Sequence, residues 1–276
     1  MITISAFADE IGPDLTLQMD TCQAVGVRHI DVRGIDGVNV SAFTPAQAKD
    51  YRQRLDGRGF SVPCIGSPIG KITMDDDFDA HLDLLRRCFE VADIFGTRLV
   101  RIFSFYGGAG KKIADQRAGV LDRMAAMVRL AEDAGFILMH ENEKAIYGAK
   151  PQGVRDLLTS IRSKNLLGVF DPANYVEEGV KPFDEGWAAG LAEMTQYFHA
   201  KDKDETKGMC VPVGTGQGQF AEIFADMARR EWSGVVTLEP HLAAAGQFSG
   251  HTGPQMFATA ARALQDLCTR AGLDYC

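Results

Sequence analysis

Short apolar runs alternate along the chain with longer stretches in which apolar residues recur every three or four positions. The short runs are rich in β-branched and aromatic residues. They predict strands at roughly 2–7, 28–33, 61–66, 98–104, 135–141, 166–171, 196–201 and 234–239. Between them, DLTLQMDTCQAVG, TPAQAKDYRQRLDGRG and FDAHLDLLRRCFEVADIFG carry the period of amphipathic helices. Thr44-Pro45 supplies an N-cap and a first-turn proline, and Gly26, Gly59, Gly96 and Gly135 stand where helices should stop before the next strand. Eight strand-helix alternations without a linker or composition shift predict an α/β fold, a single (β/α)8 TIM barrel over residues 1–276. A doubly wound open sheet would want a glycine-rich turn after the first strand, and ADEIGPD lacks one.

Four of the predicted strands end on residues of metal-ligand type: Glu141 in FILMHENE, Asp171 in LLGVFDPAN, His199 in QYFHAKD and Glu239 in GVVTLEPH. They are spaced roughly 30 to 40 residues apart, about one strand-loop-helix-loop unit each. In a parallel barrel the carboxyl ends of successive strands converge on one mouth. Three carboxylates and an imidazole gathered there are costly unless a divalent cation neutralises them.

Each of the four also has a plain structural reading. Glu141 reads as a strand-end charge, Asp171 as the cap of the DPAN turn, His199 as a hydrogen-bonded core histidine, and Glu239 as a rim residue before Pro240. Their regular recurrence is what favours a shared site. Because alternate residues of a barrel strand face inward, Glu143 goes with Glu141, Lys201 with His199, His241 with Glu239 and Arg33 with Asp31. His140 and Asn142 then point towards the helices. Lys71, Arg101 and Lys201 are candidates to bind hydroxyls or a phosphate, against the alternative of an exposed charge, which weighs most for Lys71. The stretch KDKDETKGMCVPVGTGQGQF is the longest polar, glycine-rich loop, placed for an active-site role. Within it the glycines of Gly214-Thr215-Gly216-Gln217-Gly218 are wrongly spaced for a dinucleotide fingerprint, and a plain tight turn is at least as good a reading as phosphate binding.

A net charge of −8 argues against a nucleic-acid partner but leaves anionic small molecules open. The start of the chain shows no signal-peptide pattern, and no run of about 18 apolar residues predicts a membrane span. Six scattered cysteines without a CxxC pair fit reduced thiols, so a cytoplasmic location is expected; Cys64 reads as small packing.

With those residues in hand, the sequence resembles the sugar-phosphate isomerase/epimerase superfamily, the xylose isomerase-like TIM barrels that include tagatose 3-epimerase, inosose dehydratase and endonuclease IV relatives. The resemblance covers nearly the whole chain. It rests on Glu141-Asn142, on Asp171-Pro172-Ala173-Asn174, on His199-Ala200-Lys201-Asp202, on Pro212-Val213-Gly214-Thr215-Gly216 and on Leu238-Glu239. It implies that Glu141, Asp171, His199 and Glu239 bind one divalent ion, and that Glu141 and Glu239 exchange a carbon-bound proton from opposite faces. The chain departs from the tagatose-type pattern at Asn174, where a histidine is usual. It departs again in having Lys201, Lys203 and Lys207 where the pattern places an arginine in the following loop.

An oxygen-rich site with one imidazole suits Mn²⁺ or Mg²⁺, with Co²⁺ or Zn²⁺ as replacements. The expected activity is isomerisation or epimerisation of a keto sugar through an enediolate, with Glu143, Asn174, Lys201, Arg101 and His241 as substrate contacts. Expulsion of a neighbouring hydroxyl from the same intermediate makes a lyase the runner-up. An endonuclease IV-like repair enzyme needs a histidine-rich site and a basic surface, and the chain has six histidines and excess acid. A non-catalytic sugar-binding barrel has little reason to collect three carboxylates. A small-molecule sugar is therefore the expected partner, with neither nucleic acid nor membrane, and a homo-oligomer is compatible with the sequence.

Overall fold

The computed structural model describes residues 1–242 and 252–276. Its strands in chain order are β1 (Ile2–Ala6), β2 (Gly34–Ile35), β3 (Val38–Asn39), β4 (Cys64–Ile65), β5 (Leu99–Ile102), β6 (Ile137–Glu141), β7 (Leu166–Phe170), β8 (Thr195–Ala200), β9 (Asp202–Asp204), β10 (Met209–Val211) and β11 (Gly234–Leu238). Seven of them form one parallel sheet in the order β1-β11-β8-β7-β6-β5-β4. The principal helices are α1 (Leu15–Ala24), α2 (Pro45–Asp56), α3 (Phe78–Phe95), α4 (Arg117–Ala134), α5 (Pro151–Ile161), α6 (Pro172–Glu177), α7 (Phe220–Arg229) and α8 (Gly253–Ala271).

The sheet is closed by the segment predicted as the second strand. The Asp31 amide donates to the Ala6 carbonyl on one side, while Ile30 and Val32 donate to Ser61 and Cys64 on the other. This segment makes single bridges, His29 to Ser61 and Val32 to Ile65, and not a continuous ladder. The third strand is also shorter than its pattern suggests. Pro63, lacking an N–H, precedes the two-residue pairing of β4 with β5. The result is the TIM barrel that the alternation predicts.

Parity is visible in the packing. Cys64, Met139, Val169 and Tyr197 form an interior cluster with Leu99, Ile137, Leu167 and Val235. Their strand neighbours Val100, Leu138, Phe170, Phe198 and Val236 belong to the larger core between sheet and helices. On that outer side Phe198 stacks on Phe170, with ring centroids 5.7 Å apart, and both meet Trp187 edge-on. Each such buried side chain contributes roughly 1.5–3 kcal/mol, so a one-residue slip that turned them inward is strongly disfavoured.

The helix ends follow the sequence signals. Thr44 caps α2 with Gln47 in a reciprocal capping box, and Gly26, Gly59, Gly96 and Gly135 all adopt left-handed φ. The polar stretch after β8 is partly ordered as the β9–β10 hairpin, which the sequence reading treated as loop. Among the described residues no helix is long and apolar enough to cross a membrane, and all six cysteines are free thiols.

Candidate metal and substrate site

The inward parity of Met139, Val169, Tyr197 and Val235 continues up each strand to the rim, one inward step further on the first three and two on β11. Glu141 is the last residue of β6, Asp171 follows β7, His199 lies near the end of β8, and Glu239 follows β11. One ligand atom from each of the four falls within 4.8 Å of the others, and all four residues are buried. His199 Nδ1 is 3.0 Å from Glu141 Oε1 and 3.4 Å from Glu239 Oε2.

Neighbouring side chains fix these groups in place. Arg101 donates to Glu141 Oε2 at 3.1 Å while also holding the Gly66 and Ser67 carbonyls. Asn174 reaches Glu141 Oε1 at 3.5 Å and the Asn142 carbonyl at 2.8 Å. Asn142, facing outward from Glu141 as parity requires, clamps the Asp171 backbone through both its amide groups. The two oxygens of Asp171 differ: Oδ1 caps α6 by accepting from the Asn174 amide, and Oδ2 lies 2.7 Å from Lys201 Nζ, facing the cluster. Phe7 packs edge-on against the His199 ring, with centroids 5.1 Å apart.

Lys201 Nζ lies 2.7 Å from Asp171 Oδ2 and 3.7 Å from Glu239 Oε2. Despite such close charges, Asp171 Oδ2, His199 Nδ1 and Glu239 Oε2 are buried without a well-directed hydrogen bond. Distance and direction disagree here, and direction decides, because a hydrogen bond weakens steeply when misaligned. A non-directional cation is what such atoms lack.

Protonation follows from the crowding. Burial alone would raise Glu141, but His199 and Arg101 bring it down to about 2. Burial likewise works against Glu239, and Lys201 with His199 and His241 holds it well below the usual carboxylate range. Burial pushes Asp171 up to about 7, with Glu141 and Glu239 adding to the rise and Lys201 opposing it. Burial would lower His199, yet the adjacent carboxylates lift it to about 9. The crowded carboxylates thus favour a proton on the imidazole. The donor set therefore fits a divalent ion.

A cavity of about 800 Å³ opens above the cluster. Arg101, Glu143, Asn174, Lys201 and His241, each expected from sequence as a substrate contact, all line it. Lys71 lines it as well: it is exposed at the rim, as the sequence favours, while it pairs with Glu143 at 3.0 Å and lies over the Phe103 ring.

Sequence reasoning missed the far wall. Asp9, Glu10 and Arg33 come from the first two strand ends, and Arg33 binds Asp9, Glu10 and Glu239 at 2.7, 2.8 and 2.6 Å. The Asp-Glu pair directly after the first apolar run was the available signal. Beneath the cluster Asp31 accepts from Ser5, Tyr197 and Thr237, a polar layer that closes the barrel interior. The glycine-rich turn is not an open phosphate cradle: the amides of Gly214, Gly216 and Gly218 all donate to Asp202 at 2.9 Å. A Cβ on Gly216 would lie 2.5 Å from that carboxylate and 2.4 Å from the Lys203 carbonyl, which is why glycine stands there.

Residues 19–267 match the family described as xylose isomerase-like TIM barrel. No curated protein matches the sequence. Among solved structures, the "probable 3-DHS dehydratase AsbF" from Bacillus anthracis is 16% identical with a TM-score of 0.76, covering 96% of this chain and 99% of its own. An L-ribulose 3-epimerase is 16% identical with a TM-score of 0.75, covering 98% and 95%. A D-allulose 3-epimerase from Methylomonas sp., solved with D-allulose, is 17% identical with a TM-score of 0.71, covering 98% and 97%. At these identities the likeness is one of fold.

Proposed function

Since the chain belongs to the xylose isomerase-like TIM barrel family, we propose that it is a single-domain, divalent-metal-dependent isomerase or epimerase of a keto sugar or sugar derivative. The observation that carries this reading is the convergence of Glu141, Asp171, His199 and Glu239, three of whose inward atoms lack a directed partner. These four would hold one ion, Mn²⁺ or Mg²⁺ by the hardness of the oxygens, with Co²⁺ or Zn²⁺ as substitutes. When bound, the ion supplies a Lewis acid that polarises a carbonyl and acidifies the neighbouring carbon-bound proton.

The chain's own residues then handle the proton. One carboxylate of the pair Glu141 and Glu239 takes it, the C–H electron pair becomes a carbon–carbon double bond, and the carbonyl π pair moves onto oxygen. Delivery of a proton to the same carbon from the opposite face gives an epimer, and delivery to the neighbouring carbon gives an aldose-ketose isomer. Arg101 and Arg33 hold the two carboxylates by their outer oxygens, turning the other oxygen of each towards His199. Lys201 and Asn174 stand beside them to orient substrate hydroxyls.

A lyase is the second reading, and one feature favours it. The Lys201 ammonium, kept protonated by Asp171 and Glu239, borders the cavity where it could hand a proton to a departing hydroxyl. Incubating the metal-loaded protein with ketoses and keto-inositols in D₂O separates the two. Deuterium-bearing epimers or isomers support the first reading and loss of water the second. Absence of exchange and of elimination with every compound would sink both.

A further inference from the structure

Among the described residues, the cations around the cavity are paired. Arg33 is held by three carboxylates, Arg101 by Glu141 and Lys201 by Asp171. At the outer rim Lys71 pairs with Glu143, while Lys144 and Lys203 converge on Glu177 at 3.4 and 2.6 Å. The other natural anion cradle of this fold, the backbone amides of the glycine turn after β8, is filled by Asp202.

A phosphate or carboxylate entering this cavity meets lysines whose charge Glu143 and Glu177 already balance, so its own charge adds to that of the neighbouring carboxylates. Hydroxyl groups face no such barrier. They donate to the lone pairs that the paired carboxylates keep and accept from the lysines without breaking a pair. Building on the keto-sugar reading above, we propose that the pairs Lys71–Glu143 and Glu177–Lys144/Lys203 act as a charge filter. They make the site selective for an uncharged keto sugar or keto polyol over its phosphorylated and carboxylated counterparts. Glu143 and Glu177 are the specificity-determining residues, because they cancel the charges that an anion would seek.

The test uses matched compounds that differ only at the terminal carbon: D-fructose, D-fructose 6-phosphate and D-fructuronate, with the same three members of the D-tagatose series and neutral 2-keto-myo-inositol. Binding to the Mn²⁺-loaded protein is read by calorimetry, and solvent-deuterium exchange is read separately. The expected result is that a neutral member binds at least about tenfold more tightly than its phosphate or carboxylate. Glu177→Gln, which removes the partner of Lys144 and the nearer of the two partners of Lys203, should raise the anion-to-neutral binding ratio severalfold. Equal or tighter binding of the anions overturns the filter, as does failure of every compound to bind at millimolar concentration or an unchanged ratio in Glu177→Gln. Because binding needs no turnover, neutral preference without exchange would retain the filter and reject the isomerase reading. Exchange confined to the anions would do the reverse.

Discussion

Arg33 Nη1 lies 2.6 Å from Glu239 Oε1, across the seam where the first and last barrel strands meet. The contact turns the other oxygen of Glu239 towards His199, 3.4 Å away. The same guanidinium neutralises Asp9 and Glu10 and lies over the Phe7 ring at 4.6 Å. Arg33 thus positions one wall of the cluster without belonging to it.

Arg33→Met keeps much of the side-chain volume and removes the charge, leaving three carboxylates facing one another. Breaking a buried pair from one side costs about 3–5 kcal/mol. We expect a cooperative unfolding transition shifted by an amount of that order in urea, with proton exchange reduced more than metal affinity. A variant of unchanged stability and exchange would remove the positioning role.

Asp171 permits a cleaner separation of fold from function, since its two oxygens do different things. Asp171→Asn retains an oxygen to cap α6 but removes the charge facing the cluster, whereas Asp171→Ala also forfeits a cap worth about 1 kcal/mol. Both should weaken Mn²⁺ binding strongly, as should His199→Ala. Wild-type protein at an ion concentration a hundred times the dissociation constant should gain about 2.7 kcal/mol, seen as a rise in Tm that EDTA reverses. Metal analysis that finds no bound ion, together with a Tm indifferent to both Mn²⁺ and EDTA, would dispose of the metal site.

The four-residue cluster was legible because a barrel imposes period two on each strand and one common rim on all of them. Glu141, Asp171, His199 and Glu239 could each be placed from strand parity alone. Arg33 was seen to face inward, yet its partners lie on other strands, and only closure of the sheet shows that Asp9, Glu10 and Glu239 surround it. Lys71 is exposed, as the sequence favours, but nothing local reveals that it pairs with Glu143 or lies over Phe103. The role of Asp202 was hidden for a similar reason: a carboxylate that organises a loop up to 16 residues further on leaves no periodic trace.

His81 provides a pH-dependent check on the loop that carries Lys71. Its Nε2 accepts the Gly70 amide at 2.7 Å, which requires the neutral ring, and burial lowers it from the ordinary 6.5. Above pH 6.5 both folded and unfolded states are neutral, and the contribution to stability is complete. As pH falls below 6.5 the unfolded chain takes the proton first, so stability is lost progressively until the folded ring titrates too. The difference in urea midpoint between pH 7.5 and pH 5.5 should therefore shrink in His81→Gln. An identical difference in the variant would show that the ring is not a source of the acid sensitivity.

Glu141 and Glu239 should be needed for more than holding an ion. Both are depressed below ordinary carboxylates and so stand ionised at neutral pH, able to accept a proton, while Arg101 and Arg33 prevent them from swinging away. A depressed carboxylate is a weak base, but its substrate proton is acidified at the same time, so the transfer remains matched. Glutamine keeps one oxygen as a ligand and loses the ability to take a proton at useful strength. Glu141→Gln and Glu239→Gln, compared with wild type at equal metal occupancy, should therefore lose solvent-deuterium exchange by about 10²–10⁴-fold, the usual range for removing a general base. Near-normal exchange in both would shift the base to Glu143, Lys201 or His241, three other titratable side chains that line the cavity. Loss in only one of the two would point to a single base that both removes and returns the proton, and hence to isomerisation over epimerisation.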